Sequence, residues 1–394
     1  MLNVSTLIGV ATSASDALRY GMTRAGESMP ASARERRPVV VWNSTQACNL
    51  TCAHCYASAK SRPARDELDT SEAMAFLDDL ANFGVPAVLL SGGEPLTRPD
   101  LLVLLEHGIS RGLRFTLSTN GTLLDDHMAS AIAEVGVAYV GISIDGTEST
   151  HDHLRRRPGA WRSSVRALGV LGDAGVKRGI RFTLTPDTVA DLGSVLEFAV
   201  AQRIERVCVY HLVPSGRGRR LVDLSPEQRH RALEEIFEFA TAHPEIEVLT
   251  VDNPSDGPAL YLWLQSHDPG AAKRCRRALE WNGGAVNGPG VGLAAVDERG
   301  GVHIDQFSRD HTVGNIRDTP FSHIWTQPAD LYLRLLRGPE RPVPVRCRVC
   351  PGLAMCGGGS RTRALAATRD RRGFDPSCSV SEARPWARPE RAYR

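Results

Sequence analysis

The sequence has no apolar run that approaches the roughly 18 residues needed for a membrane-spanning helix. Residues 1–25 also lack a basic start that leads into an apolar stretch and a cleavage site, which are the features of a secretory signal. We therefore expect a cytoplasmic protein that does not bind a membrane.

The sequence also has little excess charge, because 47 basic and 45 acidic side chains give a formal net charge of +2. This balance provides no general electrostatic attraction to nucleic acid, so we expect no nucleic-acid partner. Low-complexity tracts are absent, and so are internal repeats other than an alternation of strands and helices. With 394 residues, of which 42% are hydrophobic, the chain can form more than one globular domain.

The nine cysteines form two groups, and only Cys208 and Cys275 stand apart. The members of the two groups are Cys48, Cys52 and Cys55, and then Cys347, Cys350, Cys356 and Cys378. In a large chain without a secretion signal, thiols stay reduced, and cysteines grouped in this way bind metal more often than they form disulfides. The spacing therefore predicts metal sites.

From Val39 onward, short apolar runs alternate with longer amphipathic stretches. The runs predicted as strands are Val39–Trp42, Ala87–Leu90, Phe115–Ser118, Tyr139–Ile144, Gly179–Leu184 and Arg206–His211. The stretches predicted as helices are Thr70–Phe83, Leu101–Gly108, Asp125–Glu134, Trp161–Ala174 and Val189–Gln202. This alternation predicts an α/β fold, a partial (β/α)6 barrel with its chemistry at the carboxyl ends of the strands.

Composition divides the chain into four parts. We interpret residues 1–37 as an N-terminal arm, residues 38–225 as the barrel, residues 226–270 as a bridging segment and residues 271–394 as a small Cys-rich domain. The last part is rich in glycine and arginine and has few large apolar residues. Such a segment would gain much of its folding free energy from bound metal.

The first cysteine group follows directly after the first predicted strand of the barrel. Three thiolates on one loop suit an iron–sulfur cluster or zinc, but a structural zinc ion would need a fourth ligand such as His54. The pattern Cys48-x3-Cys52-x2-Cys55-Tyr56 resembles the signature of the radical S-adenosylmethionine (AdoMet, or SAM) superfamily. The resemblance implies a [4Fe–4S] cluster on these catalytic, metal-binding cysteines, with AdoMet bound to the open iron and cleaved to a 5′-deoxyadenosyl radical.

Other residues at predicted strand ends resemble the AdoMet-binding positions of the same superfamily. The resemblance implies that AdoMet contacts Tyr56, Gly92, Gly93, Glu94, Asn120, Ser143, Asp145 and Arg181. Gly92 and Gly93 would let the backbone approach the methionine amino group closely. Local turn chemistry is the alternative for Asn120, Ser143 and Asp145, and a structural salt bridge is the alternative for Arg181.

The second cysteine group resembles the C-terminal auxiliary-cluster domain called SPASM. The resemblance implies a second [4Fe–4S] cluster, with Cys347, Cys350, Cys356 and Cys378 as its metal ligands, and a zinc ribbon is the alternative. The full SPASM pattern has seven cysteines and two clusters, whereas this chain has Ser360 and Ala295 at two of the expected positions. Cys275 remains either a ligand or a free thiol, and we interpret Cys208 as a buried small apolar residue.

Several stretches resemble the haem d1 and alternative haem biosynthesis branch of the superfamily. They are residues 39–45, 207–218, 301–307, 314–316 with 320–325, and 356–364. The resemblance implies that the radical attacks a side chain of a sirohaem-derived iron tetrapyrrole, with loss of acetate or propionate. The alternatives are a SPASM-type maturase of a ribosomally made peptide and a non-enzymatic iron–sulfur sensor. The reaction also needs an electron donor such as ferredoxin or flavodoxin.

An anionic substrate agrees with several arginines near the predicted site. Guanidinium groups bind carboxylates in a bidentate manner, and the candidates are Arg217, Arg219, Arg220, Arg361 and Arg363, with solvated surface charge as the alternative. His211 and His303 are candidates for iron ligands or acid–base groups, with a structural role as the alternative.

Overall fold

The computed structural model describes residues 1–10, 19–20 and 35–380. Most of the predicted arm and the end of the predicted C-terminal domain lie outside these ranges. In the described residues, eleven strands form one sheet. They are β1 (Leu2–Asn3), β2 (Val39–Asn43), β3 (Val88–Ser91), β4 (Phe115–Thr119), β5 (Tyr139–Ser143), β6 (Arg178–Leu184), β7 (Arg206–His211), β8 (Glu247–Val251), β9 (Leu293–Val296), β10 (Gly301–His303) and β11 (Gly314–Asn315).

The strand order is β1-β8-β7-β6-β5-β4-β3-β2-β9-β10-β11. The eight strands from β8 to β9 in this order run parallel, and antiparallel strands flank them on both sides. Strands β2 to β7 are the six predicted strands, with bounds that differ by no more than one residue. The partial α/β barrel is therefore confirmed.

Two further parallel strands extend the predicted set of six. β8 lies in the segment that we interpreted as a bridge and pairs with β7. β9 comes from the C-terminal part and pairs with β2 at the opposite edge, where Val40 aligns with Ala294. The sheet therefore runs continuously from the barrel into the C-terminal part.

Helices occupy the connections between the strands, as parallel pairing requires. They are α1 (Val4–Ile8), α2 (Thr70–Phe83), α3 (Leu101–Ser110), α4 (Asp126–Val135), α5 (Glu148–Arg155), α6 (Ala160–Asp173), α7 (Leu192–Ala201), α8 (Pro226–Ala242), α9 (Asp256–His267), α10 (Pro269–Asn282), α11 (Phe321–Thr326), α12 (Leu331–Arg337), α13 (Leu353–Cys356) and α14 (Arg361–Thr368). Among the described residues, none of these helices is long and apolar enough to cross a membrane.

Helix α2 illustrates why these segments become helical. Asp69 accepts a hydrogen bond from the Glu72 amide while the Glu72 side chain accepts one from the Asp69 amide, so both form a capping box. Gly84 ends the helix at a φ of +78°. Between these ends, Phe76, Leu77 and Leu80 point into the core, and burial of each side chain contributes about 1.5–3 kcal/mol.

Candidate active site

The strands of the barrel surround a cavity of about 510 Å³. Cys48, Cys52 and Cys55 all lie on its wall, on the loop that follows β2. The predicted contact residues Tyr56, Gly92, Gly93, Glu94, Asn120, Ser143 and Arg181 also line this cavity. One cavity therefore brings together three candidate cluster ligands and all but one of the predicted AdoMet contacts.

Hydrogen bonds from three other segments hold the cysteine loop. The Cys48 amide donates to the Lys60 carbonyl at 2.7 Å, and the Ala53 amide donates to the Leu154 carbonyl at 2.9 Å. Arg217 donates from Nε to the Cys52 carbonyl at 2.8 Å and from its amide to the Cys55 carbonyl at 2.9 Å. These bonds fix the loop without using any of the three thiol groups as an acceptor.

Burial raises the pKa of the Cys48 thiol to about 12 and also raises that of Cys52. In Cys52, the nearby Arg155 guanidinium acts in the opposite direction. The free thiols of Cys48 and Cys52 therefore hold their protons near neutral pH. Because only thiolates bind metal, a metal centre that forms here must displace those protons.

Gly92 and Gly93 let β3 approach the cysteine loop closely. A Cβ on Gly93 would lie 2.0 Å from the Ala47 carbonyl oxygen, and one on Gly92 would lie 2.6 Å from the Thr45 carbonyl oxygen. The Gly93 amide donates to the Thr45 carbonyl at 2.7 Å. The glycines therefore position the cysteine loop, and their predicted contact with AdoMet through the backbone stays a prediction.

Glu94 joins the ends of two neighbouring strands. Its buried carboxylate accepts hydrogen bonds from the Leu96 amide at 3.1 Å, the Thr119 hydroxyl at 2.6 Å and the Asn120 amide at 2.8 Å. Burial raises the pKa of this carboxyl group, although the three hydrogen bonds act against that effect. Glu94 lies on the cavity wall and at the same time holds Asn120 in place.

Two further predicted contacts, Tyr56 and Arg181, lie on the wall and bond to neighbouring side chains. The Tyr56 hydroxyl donates to Asn43 at 2.7 Å and lies 3.0 Å from the Ser91 hydroxyl. Arg181 donates to the Tyr210 hydroxyl at 2.5 Å, and its guanidinium lies 4.4 Å from the centre of the Tyr210 ring. Both arrangements fix large side chains against the cavity.

Asp145 is the predicted contact that does not line the cavity. It is fully buried, and its carboxylate accepts from the Thr183 amide at 2.8 Å and from Arg155 Nε at 2.8 Å, with a second bond from Arg155 Nη2. Burial raises the pKa of this carboxyl group, but the Arg155 guanidinium and neighbouring imidazoles outweigh it and lower the pKa to about 2. The expectation of a direct cofactor contact at Asp145 is corrected, because its carboxylate is occupied by protein donors.

Arg155 is a residue of this site that the sequence interpretation missed. It ends α5, a helix that we did not predict, and its Nη1 donates to the Cys52 sulfur at 3.7 Å. The Asp145–Arg155 pair therefore lies directly behind one candidate ligand. The sequence signal that could have revealed this pair is an Asp at the end of a buried strand with an Arg ten residues later.

Comparison with known proteins gives the same interpretation as this geometry. The Radical SAM superfamily profile matches residues 42–199. The chain is 40% identical to Fe-coproporphyrin III synthase of Methanosarcina barkeri, over 97% of this chain and 98% of that protein. It is 37% identical to pre-heme d1 synthase of Dinoroseobacter shibae, over 88% of this chain and 87% of that protein.

The chain belongs to the radical SAM superfamily. The resemblance to its haem-biosynthesis branch is confirmed as well. A crystal structure of SuiB from Streptococcus suis with its precursor peptide SuiA has the same fold, with a TM-score of 0.68 at 16% identity over 91% of this chain and 84% of that chain. This radical SAM protein is therefore an AdoMet-dependent enzyme that uses a [4Fe–4S] cluster.

A second cavity, of about 240 Å³, brings together the C-terminal cysteines of this radical SAM enzyme. Cys347, Cys350, Cys356 and Cys378 all line it. The Cys350 amide donates to the Cys347 carbonyl at 3.1 Å, and the Gly358 amide donates to the Cys356 sulfur at 3.3 Å. Four thiols from three segments around one cavity fit the ligand set of a [4Fe–4S] cluster.

The two cysteine groups differ in the number of ligands that they supply. The first provides three thiols, which suits a [4Fe–4S] cluster with one open iron, whereas the second provides four. A structural zinc ion requires four ligands around one point, and zinc stays the alternative for the second group.

Neither isolated cysteine lines the second cavity, although Cys208 lies on the wall of the main one. Cys275 is fully buried in the main hydrophobic core, on α10, and lines neither cavity. Cys208 is buried with Leu249 and Val251. Ser360, at an expected cysteine position, instead caps α14 by accepting from the Arg363 amide. These placements argue against a further cluster on Cys275.

The predicted substrate-binding arginines fall into three groups, which lie on the cavity wall, on the exposed surface and inside the protein. Arg217 and Arg361 line the main cavity, whereas Arg219 and Arg220 are exposed and absent from its wall. Arg363 is buried in a pair with Asp375, with Nε at 2.9 Å from its carboxylate. Arg363 therefore has a structural role.

Neither candidate histidine has a free imidazole. His303 bonds through Nε2 to Asp297 and through Nδ1 to the His311 carbonyl, each at 3.0 Å, so both ring nitrogens are occupied. His211 lies on the main cavity wall, but its Nε2 is 2.7 Å from the Asp256 carboxylate. The structural alternative is therefore favoured for His303, and His211 has only Nδ1 available for a ligand.

Proposed function

We propose that this chain binds a [4Fe–4S] cluster through Cys48, Cys52 and Cys55 and modifies a peripheral side chain of a sirohaem-derived iron tetrapyrrole. When bound, the cluster and AdoMet together supply an adenosyl radical that removes a hydrogen atom from carbon. The observation that carries the proposal is the common cavity of the three cysteines and the strand-end residues. Its volume of about 510 Å³ lies in the usual range for small-molecule sites.

The chain's own residues would orient the reactants in this cavity. Glu94 holds the β3 and β4 ends together beside the cysteine loop. Arg181 lines the wall with a guanidinium group suited to carboxylates. Arg361 also lines the wall, but its Nη1 and Nη2 already donate to the backbone carbonyls of Arg371, Gly373 and Gly358. The Arg181 guanidinium supports an anionic substrate.

The substrate class follows from the relatives. The 40% identity to Fe-coproporphyrin III synthase extends over 97% of this chain, which favours a tetrapyrrole substrate. The peptide alternative has weaker support, because PqqA peptide cyclase of Gluconobacter oxydans is only 27% identical, over 86% of this chain, and the 16% identical SuiB structure indicates the fold alone. We further propose a second cluster on Cys347, Cys350, Cys356 and Cys378, in a SPASM-type domain, and a protein electron donor.

The test is anaerobic reconstitution with iron and sulfide, followed by iron counting and an assay of 5′-deoxyadenosine. We expect about eight irons per chain and stimulation of AdoMet cleavage by 12,18-didecarboxysirohaem. Mass spectrometry of the product then distinguishes Fe-coproporphyrin III from pre-haem d1. AdoMet cleavage at the same rate with and without the tetrapyrrole would contradict the substrate assignment.

Matched cysteine variants separate the two clusters. Cys52→Ala should abolish AdoMet cleavage, and Cys356→Ala should lower the iron content to about four per chain. Cys275→Ala is the control, because Cys275 lines neither cavity. An iron loss in Cys275→Ala equal to that in Cys356→Ala would contradict the assignment of the second cluster.

A further inference from the structure

The chain as a whole is nearly neutral, but one segment near its C-terminal end is strongly basic. Residues 341–380 contain eight arginines and two aspartates and no lysine or glutamate, which gives this segment a formal charge of +6. The whole chain carries +2, so the other residues together carry −4. The segment that holds all four C-terminal cysteines is therefore the positive part of an otherwise acidic protein.

Two apolar side chains stand out on the surface of the same segment. Val349 is 85% exposed and Val345 is 78% exposed, the highest values among the large hydrophobic residues of the described chain. The exposed Arg346 and Arg348 lie between these two valines in the sequence. We call Val345, Arg346, Arg348 and Val349 the basic–apolar surface.

The basic–apolar surface lies directly over the second cavity. Cys347, a buried ligand candidate, sits in the middle of these four residues, and Cys350 follows them. Arg346 and Val349 line the cavity that the four cysteines share, and Arg346 lies 4.0 Å from the centre of the Phe374 ring, which also lines it. A protein that contacts this surface would therefore be separated from the cluster by a single layer of residues.

Exposed apolar groups within a charged rim are typical of protein interaction sites. Complexes between electron-transfer proteins use small interfaces, and charge complementarity steers their association. The excess of arginine selects a partner of negative charge. It also opposes pairing with a second copy of this chain, because two such surfaces would repel each other.

We propose that the basic–apolar surface docks an acidic protein that carries single electrons, in reach of the cluster on the C-terminal cysteines. In the exchange, the reduced carrier loses one electron and that cluster gains it, and no covalent bond forms or breaks. The inference rests on the second cluster of the proposed function and names where the electron donor binds.

The test uses the reconstituted full-length chain, with flavodoxin as the probe. The dissociation constant is measured by titration calorimetry, and 5′-deoxyadenosine formation is measured with either reduced flavodoxin or dithionite. In V345E, at a residue that does not line the second cavity, we expect both the Kd and the KM for flavodoxin to rise about tenfold, because the new carboxylate would face the negative charges of the partner. The rate with dithionite should not change.

Two further variants make the result decisive. V103E is the matched control, since Val103 is also an exposed valine, at 48%, but lies on helix α3 of the barrel. R348Q should weaken flavodoxin binding and reduce its dependence on salt, and it replaces V345E as the test if V345E loses iron. The absence of flavodoxin binding in the wild type, or equal effects in V345E and V103E, would overturn the proposal. A wild-type protein that does not cleave AdoMet with dithionite would instead refute the proposed function.

Discussion

Replacement of Arg155 by methionine removes the guanidinium that pairs with the buried Asp145 carboxylate. In the native protein this carboxylate accepts two hydrogen bonds from Arg155 and one from the Thr183 amide. Arg155→Met leaves only the bond from Thr183. Removal of one partner from a buried ion pair typically costs about 3–5 kcal/mol, because the remaining charge stays buried without compensation. We expect a loss of that size in the free energy of unfolding.

The assay is urea unfolding of the reconstituted protein under anaerobic conditions. Arg157→Met is the control, because Arg157 lies two residues beyond the same helix, is exposed, and donates from its side chain to the Asn49 carbonyl of the cysteine loop. We expect a change within about 0.5 kcal/mol for that surface substitution. The double variant Asp145→Asn/Arg155→Met removes both charges and should recover much of the loss, which a double-mutant cycle measures.

Arg155→Met should also change the redox behaviour of the first cluster. Hydrogen bonds to the sulfur atoms are one determinant of cluster potentials, and Arg155 donates to the Cys52 sulfur. The midpoint potential in a redox titration followed by electron paramagnetic resonance should become more negative. The reasoning is refuted if Arg155→Met costs no more stability than Arg157→Met and leaves the potential unchanged.

Three further predictions concern neighbouring residues. Gly93→Ala should lower the iron content after reconstitution, because its Cβ would lie 2.0 Å from the Ala47 carbonyl and displace the cysteine loop; normal iron content would contradict this. Glu94→Gln should lower the free energy of unfolding by about 1–3 kcal/mol, because the amide nitrogen of the glutamine would face a hydrogen-bond donor that the Glu94 carboxylate now accepts from. An unchanged urea midpoint would exclude this effect. The lowered pKa of Asp145 contributes about 2 kcal/mol of stability above pH 3.8, and this contribution is lost as the pH falls towards about 2. The free energy of unfolding of the apoprotein, measured against pH and compared with that of Asp145→Asn, tests this prediction.

The strands of the barrel were predictable because each is a short buried run with an amphipathic helix after it. The same pattern identified the cysteine loop and the Gly92–Glu94 segment, since both follow strands directly. β8 was missed because Pro and Gly residues surround it, and they suggested a bridge although its sequence Glu-Val-Leu-Thr-Val suits a strand. β9 pairs with a strand about 250 residues earlier in the chain, and such long-range pairing leaves no local signal.

The roles of individual polar residues were harder to predict than their positions. Asp145 stands at a strand end, as the cofactor contacts do, but its carboxylate faces Arg155 inside the wall. The direction of the Asp145 side chain depends on its partner in helix α5. The spacing of the sequence motif does not indicate that partner. Arg363 is similar, because its buried partner Asp375 lies on a different loop.

The pairing of β9 with β2 has a mechanical consequence. Since four aligned residue pairs join the two strands, the C-terminal part cannot rotate as a separate body without breaking the ladder. The ladder therefore fixes the start of the C-terminal part beside the strand that leads into the cysteine loop. A fragment that ended before β9 would expose the edge of β2, and an open edge of this kind invites aggregation. The barrel and its C-terminal extension are thus poor candidates for exchange as independent modules.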